Sequence, residues 1–332
     1  MKTLGIIGAG RIGKVHAQSI SYQVPGAKVK TIADPFLTDE IREWASSFGI
    51  PKCTTDYKEI LADSEIDAVL ICSSTDTHAS ISIESIIAGK HVFCEKPVSQ
   101  NLEEILEVKD ALSKTSLKYQ VGFNRRFDHN FRAVRQVIAD GRIGAQHIVK
   151  ITSRDPEAPP ASYVKVSGGM FMDMTIHDFD MLRYLTNSEA DTVYVQAANL
   201  VDPAIGEAGD IDTAIITITM KNGALAVIDN SREAAYGYDQ RVEVFGSKGQ
   251  VQIGNDTLST AVVSTAQGVA SEKPLYFFLE RYMESFAEEM KNFVEAISTD
   301  LNVSVSIEDG LQAFRLAAAA GESLKSGQPV KL

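Results

Sequence analysis

Met1-Lys2-Thr3-Leu4-Gly5-Ile6-Ile7 runs without a break into Gly8-Ala9-Gly10-Arg11-Ile12-Gly13, and a stretch of helical periodicity follows. The first segment has the apolar, β-branched character of a buried strand. A G-x-G-x-x-G turn that closes a strand and opens a helix is built to hold phosphate. Gly8 makes the tight turn, a side chain at Gly10 would keep the backbone away from a pyrophosphate, and Gly13 lets helix and strand pack closely. Arg11 and Ile12 begin a helix whose unpaired N–H groups and partial positive charge face the phosphates. Glycine-rich turns also serve plain packing, so the turn needs a second signal.

That signal is Asp34, at the end of the next apolar run and about 20 residues on, where a carboxylate accepts hydrogen bonds from an adenosine ribose. Its charge would repel a 2′-phosphate, and the following Pro35-Phe36-Leu37 offers no Arg or Lys to neutralise one. The expected cofactor is therefore NAD rather than NADP.

Working outward, residues 1–122 alternate strand-like runs (3–7, 29–33, 68–71, 91–93 and 118–121) with helical patterns (12–20, 38–48, 57–62, 77–88 and 102–113). Such βα alternation predicts a parallel sheet. Asp56 with Glu59, and Asn101 with Glu104, have the spacing of capping boxes. After Gly122 the rhythm changes. A helix is expected over 129–139, a strand over 147–153, a Pro-rich loop over 156–160 and a helix over 169–185. Strand runs within 192–263, among them 214–220, 224–229 and 242–245, are joined by Asn222-Gly223 and Ser247-Lys248-Gly249 turns, which predicts hairpins and a mostly antiparallel sheet. Helices over 279–297 and 309–324 close the chain. The expected division is a dinucleotide-binding domain at 1–122 and an α+β substrate domain at 123–332.

Composition is compatible with this layout. The chain has 332 residues, 44% hydrophobic and 23% charged, enough at about 150 residues per domain for two cores without disulfide or metal staples. Lys plus Arg total 32 against 44 Asp plus Glu, a net charge of -12, so a nucleic-acid partner is not expected. No apolar run reaches the roughly 18 residues of a membrane span, and the N-terminus lacks a signal-peptide pattern. Cys53, Cys72 and Cys94 form no C-x-x-C pair, which fits a cytoplasmic protein with reduced thiols, and Cys72 and Cys94 end apolar runs as buried small hydrophobes. The six histidines lack metal-ligand spacing, and no metal is expected.

Glu95-Lys96-Pro97 lies just past the strand at 91–93, at the carboxyl edge of the parallel sheet, where α/β folds bind ligands. Pro97 biases Lys96 away from helix. Farther on, Asp173 and His177 stand four residues apart on one expected helical face, with Asp180 a further turn along. Histidine titrates nearest neutrality and suits proton transfer. A salt-bridged helix face would have the same spacing.

Gly8 to Gly13, Asp34, Glu95-Lys96-Pro97 and Asp173-Met174-Thr175-Ile176-His177-Asp178-Phe179-Asp180, in this order, resemble the glucose-fructose oxidoreductase, inositol dehydrogenase and rhizopine catabolism family over nearly the whole chain. Gly122-Phe123-Asn124-Arg125-Arg126-Phe127, Ser153-Arg154-Asp155-Pro156 and Tyr236-Gly237-Tyr238-Asp239 look most like its bacterial inositol 2-dehydrogenase branch. The resemblance implies a Rossmann domain, a C-terminal α+β domain with an open sheet, and commonly a homotetramer formed through those sheets. It implies that Lys96 lies between nicotinamide and substrate, that Asp173 and His177 are catalytic, and that Glu95 and Ser73-Ser74-Thr75-Asp76-Thr77-His78 line the cofactor edge. Asn124, Arg125, Asp155 and Tyr236 occupy positions that resemble substrate contacts, with groups suited to reading hydroxyl orientation. Arg126 is expected to pair with an acid, Tyr238 and Trp44 to pack, and Asp178 to face outward or be structural. The expected reaction is NAD-dependent oxidation of an inositol ring hydroxyl, myo or scyllo, to the ketone. The alternatives are a dehydrogenase of another sugar or polyol, and a non-catalytic dinucleotide-binding regulator.

Overall fold

A computed structural model describes residues Met1–Leu332. The chain forms two compact units, one of Met1–Phe127 with Met283–Phe314, the other of Asp128–Tyr282 with Arg315–Leu332. This departs from the expected contiguous division after Gly122. The reason is the late helix Met283–Thr299, whose Met290, Phe293, Val294 and Ile297 join Leu4, Ile6, Ile20 and Phe93 in one apolar core.

The first unit is a βα series: β1 (Lys2–Ile7), α1 (Arg11–Gln23), β2 (Ala27–Ala33), α2 (Asp39–Ser47), β3 (Lys52–Thr54), α3 (Lys58–Ala62), β4 (Ala68–Ile71), α4 (His78–Ile87), β5 (His91–Glu95), α5 (Leu102–Ser113) and β6 (Tyr119–Gly122). The six strands are all parallel, in the order β3-β2-β1-β4-β5-β6. The order reverses between β1 and β4, which places a doubly wound switch point beside the glycine turn. Ala68, Val69, Leu70 and Ile71 are all buried, as expected of a central strand covered on both faces. β3, only three residues long, was not anticipated.

The two capping boxes are not realised as expected. Asn101 caps α5 by accepting from Glu103 N at 2.9 Å, but Glu104 takes the Ser99 hydroxyl at 2.6 Å. Asp56 accepts from Lys58 N at 2.9 Å, while Glu59 binds Thr54 and Lys52. In both, a nearer side-chain donor replaces the reciprocal backbone bond.

The second unit has a seven-stranded sheet: β7 (Gln146–Arg154), β8 (Ala190–Ala198), β9 (Thr213–Met220), β10 (Leu225–Ser231), β11 (Asp239–Gly246), β12 (Gly249–Ile253) and, at the far edge, Val330–Lys331. Every pairing is antiparallel except β7 with β10, so the mostly antiparallel expectation holds. Along β9, Ala214, Ile216, Ile218 and Met220 are buried while Ile215 faces out, the period-two signature of a sheet covered on one face. The helix expected over 169–185 is present as one helical run from Gly169 to Thr186, but it is not α-helical throughout. Gly168 and Gly169 take φ of 84° and 80°, a π-helical turn covers Phe171–Thr175, and the α-helix runs Ile176–Thr186. Helices Ala161–Ser167 and Pro203–Glu207 were not foreseen. None of the helices is long and apolar enough to cross a membrane.

Candidate active site

In the first unit the expected cofactor residues gather at the carboxyl ends of adjacent parallel strands. Gly8 follows β1 with φ of +103°, and a Cβ there would stand 2.5 Å from the Cys72 carbonyl oxygen. A Cβ on Gly13 would stand 2.0 Å from the Gly8 carbonyl oxygen. A Cβ on Gly10 would meet nothing within 4 Å, so the protein itself does not need that glycine. Gly10 is also the N-cap of α1, with no side-chain cap and no acidic residue in the first turn. An open cradle and a helix N-terminus with no side-chain cap suit a pyrophosphate.

Asp34 fixes this arrangement as well as facing it. Its Oδ2 accepts from Ala9 N at 2.7 Å and its Oδ1 from Phe36 N at 2.8 Å, which ties the glycine turn to the end of β2. A carboxylate has about four lone-pair sites, so acceptor capacity remains for ribose hydroxyls. The residues present therefore fit NAD.

Across the switch point, Ser73, Ser74 and Thr75 form the turn after β4. The Ser73 and Thr77 hydroxyls are 2.7 Å apart, and Thr77 N donates to Ser74 O at 2.9 Å. Glu95 ends β5 and its Oε1 lies 2.7 Å from Nε2 of fully buried His16 on α1. This link between the phosphate-facing helix and the Lys96 strand was not read from the sequence. Lys96 is half-buried and the Lys96–Pro97 peptide is cis. His78 departs from its expected role. It is 2% exposed, with Nδ1 at 2.8 Å from Pro97 O and Nε2 at 3.1 Å from Ser73 O. Both ring nitrogens are engaged by backbone, which excludes direct cofactor binding through them.

Asn124 and Arg125 lie in the 3₁₀ turn Asn124–Phe127 of the same unit, each 5% exposed, with Asn124 Nδ2 donating to Ser285 Oγ at 3.4 Å. Arg126 pairs with Asp309 at 2.9 Å as expected.

In the second unit, Asp173 sits inside the π-helical turn, a form frequent at functional sites. Its Oδ1 accepts from Tyr163 Oη at 2.9 Å and its Oδ2 from Arg232 Nη1 at 3.0 Å. The same Nη1 lies 3.5 Å from Asp155 Oδ2. Burial disfavours the Arg232 charge, but Asp173 and Asp155 outweigh it and raise its pKa. Burial and Asp173 likewise push the Tyr163 phenol up. The structure thus brings Asp155 and Asp173 together around an arginine that sequence reasoning missed.

His177 stands at the start of the helix Ile176–Thr186, and both of its flanks are anchored to β10. Asn230 Oδ1 accepts from Thr175 Oγ1 at 2.6 Å and its Nδ2 donates to Asp178 Oδ2 at 2.9 Å. Asp178 is 0% exposed, which settles it as structural rather than outward-facing. Tyr236 donates its hydroxyl proton to Asp239 at 2.6 Å and accepts from Arg154 at 3.1 Å. Its one proton is thus committed, and a substrate hydroxyl would have to donate to it.

Residues 2–123 match the oxidoreductase family with an NAD-binding Rossmann fold, and residues 131–252 match the GFO/IDH/MocA C-terminal domain. The chain is 53% identical over 328 residues to the uncharacterized oxidoreductase YrbE of Bacillus subtilis strain 168, covering 99% of this chain and 96% of that one. It is 46% identical over 329 residues to the myo-inositol 2-dehydrogenase of Thermotoga maritima, covering 99% and 98%. The crystal structure of scyllo-inositol dehydrogenase from Lactobacillus casei with bound NAD(H) and scyllo-inositol superimposes with a TM-score of 0.92 at 31% identity, covering 100% and 99%.

Proposed function

The chain belongs to the GFO/IDH/MocA family of oxidoreductases, and from that premise we propose that it oxidises one ring hydroxyl of an inositol to a ketone with NAD as cofactor. The observation that carries the substrate is the end-to-end likeness, at 46% identity, to a myo-inositol 2-dehydrogenase.

NAD, when bound, supplies the ring carbon that takes a hydride as the substrate C–H bond breaks. His177 takes the hydroxyl proton, a step for which histidine is the best-suited residue type near neutral pH. The Lys96 ammonium stabilises negative charge on the reacting oxygen as that proton leaves and the carbonyl forms. Asp173, held between Tyr163 and Arg232, accepts a substrate hydroxyl and sets its position. Asn124, Arg125, Asp155 and Tyr236 read the remaining hydroxyls, and polar groups left unpaired by a wrong isomer give the discrimination.

The test is NADH formation across myo-inositol, scyllo-inositol, glucose and other polyols, with NADP in parallel. Turnover is expected with an inositol and NAD. Silence with both inositols despite NAD binding would overturn the substrate assignment, and equal efficiency with NADP would remove the role given to Asp34.

We also infer the homotetramer that the family resemblance implies, and Ile148, Ile215, Leu225 and Phe245, 39%, 47%, 55% and 42% exposed on the outer sheet face, suit the subunit contact it needs. Light scattering should give a tetramer that Leu225→Glu breaks down, and a monomeric wild type would end this inference. The free Cys53, Cys72 and Cys94 support a cytoplasmic location, which recovery from a secreted fraction would contradict.

A further inference from the structure

His78 presents a hydrogen-bonding problem with one good solution. Its ring is buried and each of its nitrogens faces a backbone carbonyl oxygen, Pro97 O at 2.8 Å and Ser73 O at 3.1 Å. A carbonyl oxygen only accepts. A neutral imidazole has one N–H, so one of the two contacts would set lone pair against lone pair, whereas an imidazolium donates to both. Other groups bear on that charge. Burial opposes it, as does the position of His78 at the N-terminal end of α4. The Cys94 sulfur of β5 and the two carbonyls favour it and raise the pKa to about 9. Tyr119 of β6 lies beyond Cys94, its hydroxyl 3.0 Å from Ser82 Oγ.

The two carbonyls belong to different parts of the cofactor edge. Ser73 lies in the turn after β4, and Pro97 directly follows Lys96 after the adjacent strand β5. We propose that His78 is a positioning residue, held as an imidazolium, whose two N–H groups fasten the Ser73 turn to the Pro97 carbonyl and so fix the backbone from which Lys96 projects. It rests on the reading of Lys96 given above. His78 acts on the reaction only through that backbone.

Asparagine places an amide N–H near the position of Nδ1, and glutamine near that of Nε2, so each variant keeps one of the two bonds. His78→Asn, which keeps the Pro97 bond, should leave kcat near wild type and weaken NAD binding by about tenfold. His78→Gln, which keeps the Ser73 bond, should leave NAD binding near wild type and lower kcat by up to about a hundredfold, the scale of a small misplacement of a reacting group. A purely structural role would lower both parameters together in both variants, and that result would overturn the proposal. Independently of turnover, ¹⁵N NMR of the wild-type protein labelled at histidine should find both His78 ring nitrogens protonated at neutral pH, with the second proton lost only towards pH 9. A singly protonated ring at neutral pH would overturn the proposal even if a variant failed to fold. Ring protonation and NAD affinity are read without substrate, so failure of the inositol assignment would leave this test intact.

Discussion

The first unit builds its candidate site from backbone and the second builds its own from side chains. At the glycine turn, Gly8 and Gly13 are required because a Cβ would meet a carbonyl oxygen at 2.5 or 2.0 Å, and Asp34 and His78 are held by main-chain groups. Around Asp173 the positioning falls to Tyr163, Arg232 and, for the neighbouring helix, Asn230. Backbone geometry restricts which residue types a position accepts. Side-chain networks instead spread the requirement over residues far apart in sequence, and a partly satisfied network is costly.

The contrast between the units is tested most directly at the two residues proposed to react, Lys96 in the first unit and His177 in the second. His177→Ala and Lys96→Ala should each lower kcat by about a hundred- to ten-thousand-fold while NAD still binds, measured by steady-state turnover and NAD titration. Near-normal turnover in either variant would remove that residue from the mechanism. The next largest effect tests the side-chain network. Arg232→Met leaves Asp155 and Asp173 without their cation and should cost about 3 kcal/mol in denaturant unfolding, together with a lower kcat/KM. Arg232→Lys, which restores charge without the fork, should recover part of both. An unchanged Arg232→Met protein would mean that the second unit does not depend on this network. The smallest effects separate two glycines of one turn. Gly13→Ala should destabilise the fold by about 1–3 kcal/mol, whereas Gly10→Ala should leave the thermal midpoint unchanged and weaken NAD binding by about tenfold. A midpoint that falls equally in both would erase the distinction between packing glycine and ligand glycine.

The same contrast explains what could be read from the sequence. The parallel sheet, the glycine turn and Asp34 were legible because each is a local pattern: a strand, a turn and a residue at a fixed interval. β3 was missed because Lys52–Thr54 is too short to establish a period. Arg232 was missed for a different reason. It follows the strand Leu225–Ser231 and carries no motif, and its meaning comes from Asp173, 59 residues earlier. Asn230 is equally silent in the sequence, since the Ser153 carbonyl to which it also donates is 77 residues away. His78 entered only through the family resemblance, which placed it on the cofactor edge, and the two carbonyls its ring nitrogens meet carry no sequence signal. The division of the chain was misjudged because apolar periodicity over 283–299 identifies a helix without saying which core it joins.

The π-helical turn at Phe171–Thr175 carries one more residue than an α-helical turn would. A relative one residue shorter there could retain both an acid and a histidine and still aim them about 100° differently. Alignments across this turn are therefore better anchored on Thr175 and Asp178, the pair gripped by Asn230, than on Asp173 and His177 themselves. Insertions and deletions, more than substitutions, are where divergent chemistry in such relatives is to be sought.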